Sequence, residues 1–266
     1  MDNYLQANRI LWDELTKIHT EAESYNVKGF KAGKLTLRPV ELTEVGQVKG
    51  KSMLHLQCHF GMDTLSWAKL GAQVTGIDFS EKAISLAQNL SREVGVKANF
   101  LCSNIYDLPD KLTGKFDIVF TSYGIICWLP NIKRWAEIIT HFLKPGGFFY
   151  IVEGHPFLTV FDNSEQATDF KVTQSYFHNP LPIKWEPEGD YADREATVVH
   201  PSYEWTYGLG DIINALIDAN LKIEYLHEFP LSAYRWSPFT EKGADRWWRI
   251  KGDRVPLIFS IKATKE

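Results

Sequence analysis

The apolar residues of this chain change period several times, and those changes mark out its elements. Between residues 4 and 23 they fall at Leu5, Ile10, Leu11, Leu15 and Ile18 with polar residues between, the spacing of an amphipathic helix. A glycine- and lysine-containing passage from Tyr25 to Gly50 follows. Its Arg38-Pro39 dipeptide favours extended backbone, so residues 1–50 read as a helix and a flap. Short apolar runs then alternate with helical patterns. Strands are expected at 52–57, 72–78, 97–102, 116–121 and 148–152. Helices are expected at 63–70, stopped by Gly71, from the N-cap Ser80 to about Gly95, and at 132–143. A turn, Lys144-Pro145-Gly146-Gly147, precedes the fifth strand.

The alternation breaks after Glu153. Residues 154–206 are rich in proline, aromatic and polar residues and show no clear helix. Structureless loops of that length are rare in compact domains, so a small β insertion or lid is expected. A helix returns at 209–219, carried by Leu209, Ile212, Ile213, Leu216 and Ile217, and strands at 221–228 and 255–263 close the chain. An aromatic passage running from Tyr234 to Trp248 separates those two strands. Strands alternating with helices imply parallel pairing through right-handed crossovers. The expected fold is therefore α/β: a mostly parallel seven-stranded sheet with helices on both faces. Residues 51–153 would form its binding core, 154–206 the insertion and 207–266 the rest of the sheet, all as one structural domain.

Composition narrows the class. The 266 residues carry a net charge of −4, with 44% apolar and 23% charged residues, which suits an ordinary soluble globular protein with a sizeable core. That charge gives no broad basic face for nucleic acid; Trp247-Trp248, although flanked by Arg246 and Arg249, lack a wider basic region. No basic leader runs into an apolar stretch at the start, and no stretch of about 18 apolar residues could span a membrane. Cys58, Cys102 and Cys127 show no metal spacing, and their odd number fits reduced thiols in a cytoplasm. No metal site is expected, and the oligomeric state is not legible.

The chemistry concentrates in one stretch. Leu54 to Gly61 reads as strand and tight loop, and Asp78 closes the next strand 17 residues after Gly61. A strand, loop and helix followed by an acidic strand end is how α/β proteins hold an adenosine-containing cofactor, the carboxylate taking the ribose hydroxyls. A nicotinamide dinucleotide shares that acidic residue, but its pyrophosphate needs close backbone approach and an uncharged helix start. Here His59 and Phe60 crowd the turn and Asp63 opens the helix.

In order and spacing, Leu54 to Gly61, Asp78-Phe79-Ser80, Ser103-Asn104-Ile105, Phe116 to Val119 and Leu143 to Gly147 resemble the core of class I S-adenosylmethionine-dependent methyltransferases, in the small-molecule branch. The resemblance covers about 100 residues, and the loop variant looks like an uncharacterised bacterial subgroup. It implies a Rossmann-like fold, S-adenosyl-L-methionine as cofactor, and in-line methyl transfer to a small organic molecule. By the same resemblance Gln57, Cys58, His59, Phe60 and Gly61 would wrap the methionine part and Asp78 would bind the ribose. Phe79, Asn104 and Ile105 would meet adenine, and Ser122 and Tyr123 would close the pocket beside the sulfonium.

The sequence departs from the family in three places. The family has an acidic residue where His55 stands, and glycines where Gln57 and His59 stand. Those two residues need backbone angles that a side chain tolerates, or side chains turned away from the ligand. A non-catalytic protein that kept the fold is the rival these departures raise. The sequence fixes no acid–base group; His155, Tyr123 and Glu153 are the candidates near the strand ends. Tyr25, Phe30, Trp128 and Trp205, in flap, loop or insertion, are candidate substrate contacts.

Overall fold

The computed structural model describes residues 3–187 and 189–266. Helices α1 (Asn3–Glu21), α2 (Val27–Lys31) and α3 (Pro39–Val45) precede β1 (Ser52–Leu56). The core then runs α4 (Met62–Lys69), β2 (Gln73–Asp78), α5 (Glu81–Glu93), β3 (Asn99–Cys102), α6 (Leu108–Lys111), β4 (Phe116–Ser122), α7 (Ile132–Phe142) and β5 (Leu143–Gly154). The insertion holds β6 (Ile183–Trp185) and β7 (Ser202–Glu204), an antiparallel pair. The chain ends with α8 (Leu209–Asp218), β8 (Leu221–Phe229), the small hairpin of β9 (Thr240–Lys242) and β10 (Trp248–Ile250), and β11 (Ile258–Lys265).

Seven strands form one sheet in the order β3-β2-β1-β4-β5-β11-β8. Pairing is parallel from β3 to β5, and β11 runs against both of its neighbours. Period-2 alternation sorts the side chains onto two faces. Leu54, Leu56, Val119 and Phe149 join Trp135, Phe142 and Leu216 in one core. Met53, Ile118, Phe120 and Tyr150 join Trp67 and Val152 in the other. Both cores bury large aromatics completely, so the sheet is covered on both sides. Strand order reverses between β1 and β4, and their carboxyl ends open a crevice there. Open α/β sheets bind ligands at this place.

The expected seven-stranded α/β fold is the one observed; the differences lie in the appended parts. The N-terminal flap is helical, as expected, and carries α2 and α3. Pro39 occupies the first turn of α3, where its missing N–H costs nothing, while Arg38 before it is extended at φ −97° and ψ 163°. β5 takes in the Lys144-to-Gly147 passage read as a turn. A Cβ on Gly147 would lie 2.9 Å from the Asp117 carbonyl oxygen, so only glycine fits against β4. The aromatic passage contains a hairpin, β9–β10. Among the described residues no helix is long and apolar enough to cross a membrane.

α1 lies over the crevice, held by polar contacts at both ends of its buried face. The fully buried Asn8 amide pairs with the Tyr203 backbone of β7, donating to its carbonyl at 2.7 Å and accepting its N–H at 2.8 Å. Asp13 accepts the Ser80 hydroxyl at 2.6 Å and the Lys82 N–H at 3.2 Å at the start of α5. The first helix and the insertion are thereby fastened together above the binding core.

Candidate active site

The loop after β1 owes its shape to three left-handed residues: Gln57 at φ 55°, His59 at φ 50° and Gly61 at φ 75°. Glycine is required at the third, where a Cβ would stand 2.5 Å from the Phe100 ring. At the other two positions each side chain finds one protein partner, although both residues border the cavity described below and Gln57 Oε1 and His59 Nδ1 have none among the described residues. The Gln57 amide donates to the Ile125 carbonyl at 3.1 Å. The His59 imidazole faces α1, with Nε2 2.8 Å from His19 Nδ1, while His19 Nε2 lies 2.9 Å from Asp190 of the insertion. Tyr25 and Tyr191 hydrogen-bond each other beside this chain, and Trp12 packs edge-on to His59 at 5.1 Å. Burial, with His19 adjacent, pushes the His59 imidazole well below its usual pKa, so the ring is neutral. The departures from glycine thus build a clasp between loop, first helix and insertion.

Asp78 closes the loop from the other side. One of its oxygens accepts the His59 N–H at 2.8 Å and the other the Ser80 N–H at 2.9 Å. Each oxygen keeps a lone pair for a further donor. Burial lifts the carboxyl to about 6 against the pull of the neighbouring N–H groups. Asn104 uses its side-chain oxygen to cap the turn at Tyr106, at 3.0 Å. His55 stands inside the sheet, Nδ1 2.8 Å from the Thr64 hydroxyl, and burial holds it down at about 3. A neutral histidine there offers no carboxylate to a ligand.

The carboxyl end of β4 supplies the far wall. Tyr123 is left-handed at φ 44°, a costly conformation for a bulky residue. The Glu153 carboxylate holds it by accepting the N–H groups of Gly124 at 2.5 Å, Ile125 at 2.7 Å and Ile126 at 3.3 Å. The Tyr123 hydroxyl donates to Glu41 of α3 at 2.9 Å. Asp63, at the start of α4, accepts the Thr36 hydroxyl and lies 3.5 Å from that of Ser122. Burial raises its carboxyl, and among the described residues it has no ion-pair partner within 4 Å.

These groups border one cavity of about 760 Å³. All eleven residues expected at the cofactor line it, from Gln57 to Gly61, Asp78, Phe79, Asn104, Ile105, Ser122 and Tyr123, as do Tyr25, Phe30 and Trp128. Three expected residues do not. Trp205 is 4% exposed in the main core, its indole N–H donating to the Pro180 carbonyl at 3.3 Å. His155 turns to Glu228 at 2.8 Å and accepts the Phe157 N–H, and Glu153 is consumed by backbone N–H groups. Neither is free to take a proton from a ligand. Sequence reading missed Arg38, Tyr234 and Trp247, which line the cavity, and Glu41 behind Tyr123, because the flap and the segment after β8 reach the site only in the folded chain.

A parallel sheet that reverses order above such a crevice, with a buried aspartate ending β2, defines a nucleoside-binding α/β enzyme fold. The family model described as "Methyltransferase domain" matches residues 53–147. The ubiquinone biosynthesis O-methyltransferase of Chromobacterium violaceum is 32% identical over 135 residues, which take in 51% of this chain and 55% of that protein. The protein of the same name from Coxiella burnetii is 29% identical over 71% of this chain and 76% of its own length. A putative S-adenosylmethionine-dependent methyltransferase from Listeria monocytogenes shares the fold with a TM-score of 0.62 at 18% identity, over 85% of this chain and 96% of that one. Residues 53–147 thus match a methyltransferase domain, and the chain shares the fold of S-adenosylmethionine-dependent methyltransferases while spanning about half the length of the first of these relatives.

Proposed function

We propose that this protein transfers the methyl group of S-adenosylmethionine to an oxygen of a small organic molecule. The observation that carries the reading is the single cavity running from Asp78, past the β1 loop, to Tyr123 and on between flap and hairpin. Its size suits a cofactor with a small second substrate beside it. An oxygen acceptor accords with the names of the two relatives.

In this reading Asp78 accepts the ribose hydroxyls, and Asn104 with the Ile105 backbone borders adenine. The β1 loop, Gln57 to Gly61, borders the methionine chain. Asp63 is a half-buried carboxylate at the cavity wall, hydrogen-bonded by the Thr36 and Ser122 hydroxyls with the Arg38 charge nearby, and it takes the ammonium group that neutral His55 cannot. When bound, the cofactor supplies an electrophilic methyl: the nucleophile's lone pair bonds to carbon while the carbon–sulfur pair stays on sulfur. The protein's part is to hold the nucleophile in line and keep water out. The non-catalytic alternative loses ground because Gln57 and His59 adopt left-handed backbone with side chains bonded to Ile125 and His19, and the cavity stays open beside them. The three free thiols favour a cytoplasmic setting.

Isothermal titration with S-adenosylhomocysteine tests the reading directly. Micromolar binding is expected, and no heat at millimolar concentration would refute it. The Asp63→Asn variant is expected to bind that ligand about tenfold more weakly, the value of one charge-assisted contact. Its affinity for 5′-methylthioadenosine, which lacks the amino-acid head, should stay unchanged. Equal losses for both ligands would give Asp63 a purely structural part.

A further inference from the structure

Tyr123 and Glu41 are joined by a 2.9 Å hydrogen bond at the substrate end of the cavity, and neither is needed to hold the nucleoside. Glu41 comes from the flap helix and is 1% exposed. Its other oxygen takes the Arg38 N–H at 2.5 Å, so the carboxylate is fixed toward the tyrosine. Tyr123 lines the cavity in its strained conformation, whereas Glu41 stands behind it. A strained residue held by a dedicated carboxylate, here Glu153, marks a position where function has outweighed local stability.

The chamber in front of Tyr123 is aromatic. Tyr234 lies edge-on to Tyr123 at 6.3 Å and to Tyr191 at 5.1 Å. Trp128 meets Trp12 edge-on at 5.3 Å, and the Arg38 guanidinium sits 4.8 Å from the Trp247 ring. Walls of this kind select a planar ring by stacking and edge contacts.

We infer that Tyr123 and Glu41 form a proton relay that deprotonates an aromatic hydroxyl substrate as it is methylated. This rests on the function proposed above. The substrate oxygen gives its hydrogen to Tyr123 Oη while the tyrosine's own hydrogen passes to Glu41 Oε2, leaving a neutral carboxylic acid. The electron pair left on the substrate oxygen becomes the new oxygen–carbon bond, and the pair of the breaking carbon–sulfur bond remains on sulfur. Tyr123 touches the substrate; Glu41 acts through it. Burial pushes the Glu41 carboxyl up to about 7, matched to a base working near neutrality. Burial and the Glu41 charge push the Tyr123 hydroxyl well above its usual value, so it passes a proton on rather than resting as a phenolate.

The test uses the full chain saturated with sinefungin, the amino analogue of the cofactor, and 2-naphthol as probe. The naphtholate absorbs and emits at longer wavelength than the neutral form. Near pH 8, wild type should bind naphthol as naphtholate. E41Q and Y123F should each lower the bound naphtholate signal about tenfold or more, within the range general bases supply. E41Q should bind sinefungin as wild type does. Neutral naphthol in the wild-type complex, no naphthol binding, or a naphtholate signal surviving both substitutions would overturn the relay. Failure of wild type to bind sinefungin would instead remove the function on which it rests.

Discussion

Replacing Asp78 with alanine is expected to weaken S-adenosylhomocysteine binding by at least about a hundredfold. The carboxylate is buried, and a lone pair on each oxygen remains beyond the N–H groups of His59 and Ser80. Two ribose hydroxyls donating there would make charge-assisted bonds of about 1.5 kcal/mol or more each, and about 1.4 kcal/mol is a factor of ten. Asparagine is no conservative substitute, since its NH₂ would face one of the two backbone donors. The carboxyl titrates near 6, which fixes the sign of a second effect. Above that pH it is ionised and accepts from the ribose; below it a proton competes with the ligand. Wild-type affinity should therefore fall by up to about tenfold per unit as pH drops below 6, and the alanine variant should show a flat profile. Titration calorimetry at pH 5 and 8 on both proteins decides the matter. A variant that keeps its melting temperature and its affinity would remove the ribose from Asp78.

The sheet was legible because its strands announce themselves locally. Met53 to Leu56 and Ile118 to Phe120 are short apolar runs bounded by turn residues, and burial on both faces leaves them no alternative. Asp78 was legible for a similar reason, since spacing from the loop fixes its place at a strand end. What escaped were features made by contact across the chain. The His19–Asp190 bond joins residues 171 apart, and Tyr123–Glu41 joins residues 82 apart. α2 has five residues and α3 seven, too short for a period to show, and both form because the fold packs them. Trp205 and His155 failed in the same way. Each sits where a ligand contact would be reasonable, yet one is drawn into the core and the other to Glu228 at the end of β8. At Gln57 and His59 the sequence posed two ways to accommodate side chains in a glycine loop, and the fold uses left-handed backbone, with the side chains bonded to Ile125 and His19.

A base kept in a dry flap has a thermodynamic signature that needs no substrate. The unfolded Glu41 carboxyl titrates near about 4.3, and in the folded chain burial lifts it to about 7. The folded state therefore holds this proton more tightly than the unfolded one. Its contribution is fully present below about pH 4.3 and disappears as pH rises through 7, a change of about 4 kcal/mol at most. The groups facing Glu41 act on it in both senses. Hydrogen bonds from the Arg38 N–H and the Tyr123 hydroxyl favour the ion, whereas the Asp63 charge opposes it. Glutamine keeps the acceptor for the Arg38 N–H but carries no ionisable proton. E41Q and wild type should melt together near pH 4, and E41Q should melt roughly 5–10 °C higher near pH 8. Asp78 also titrates in this range but is shared by both proteins, so the difference between the two curves reports Glu41 alone. Parallel melting curves from pH 4 to 8 would mean that the carboxyl is ionised throughout. A proton could then still reach Glu41, but the site would gain no driving force from its burial.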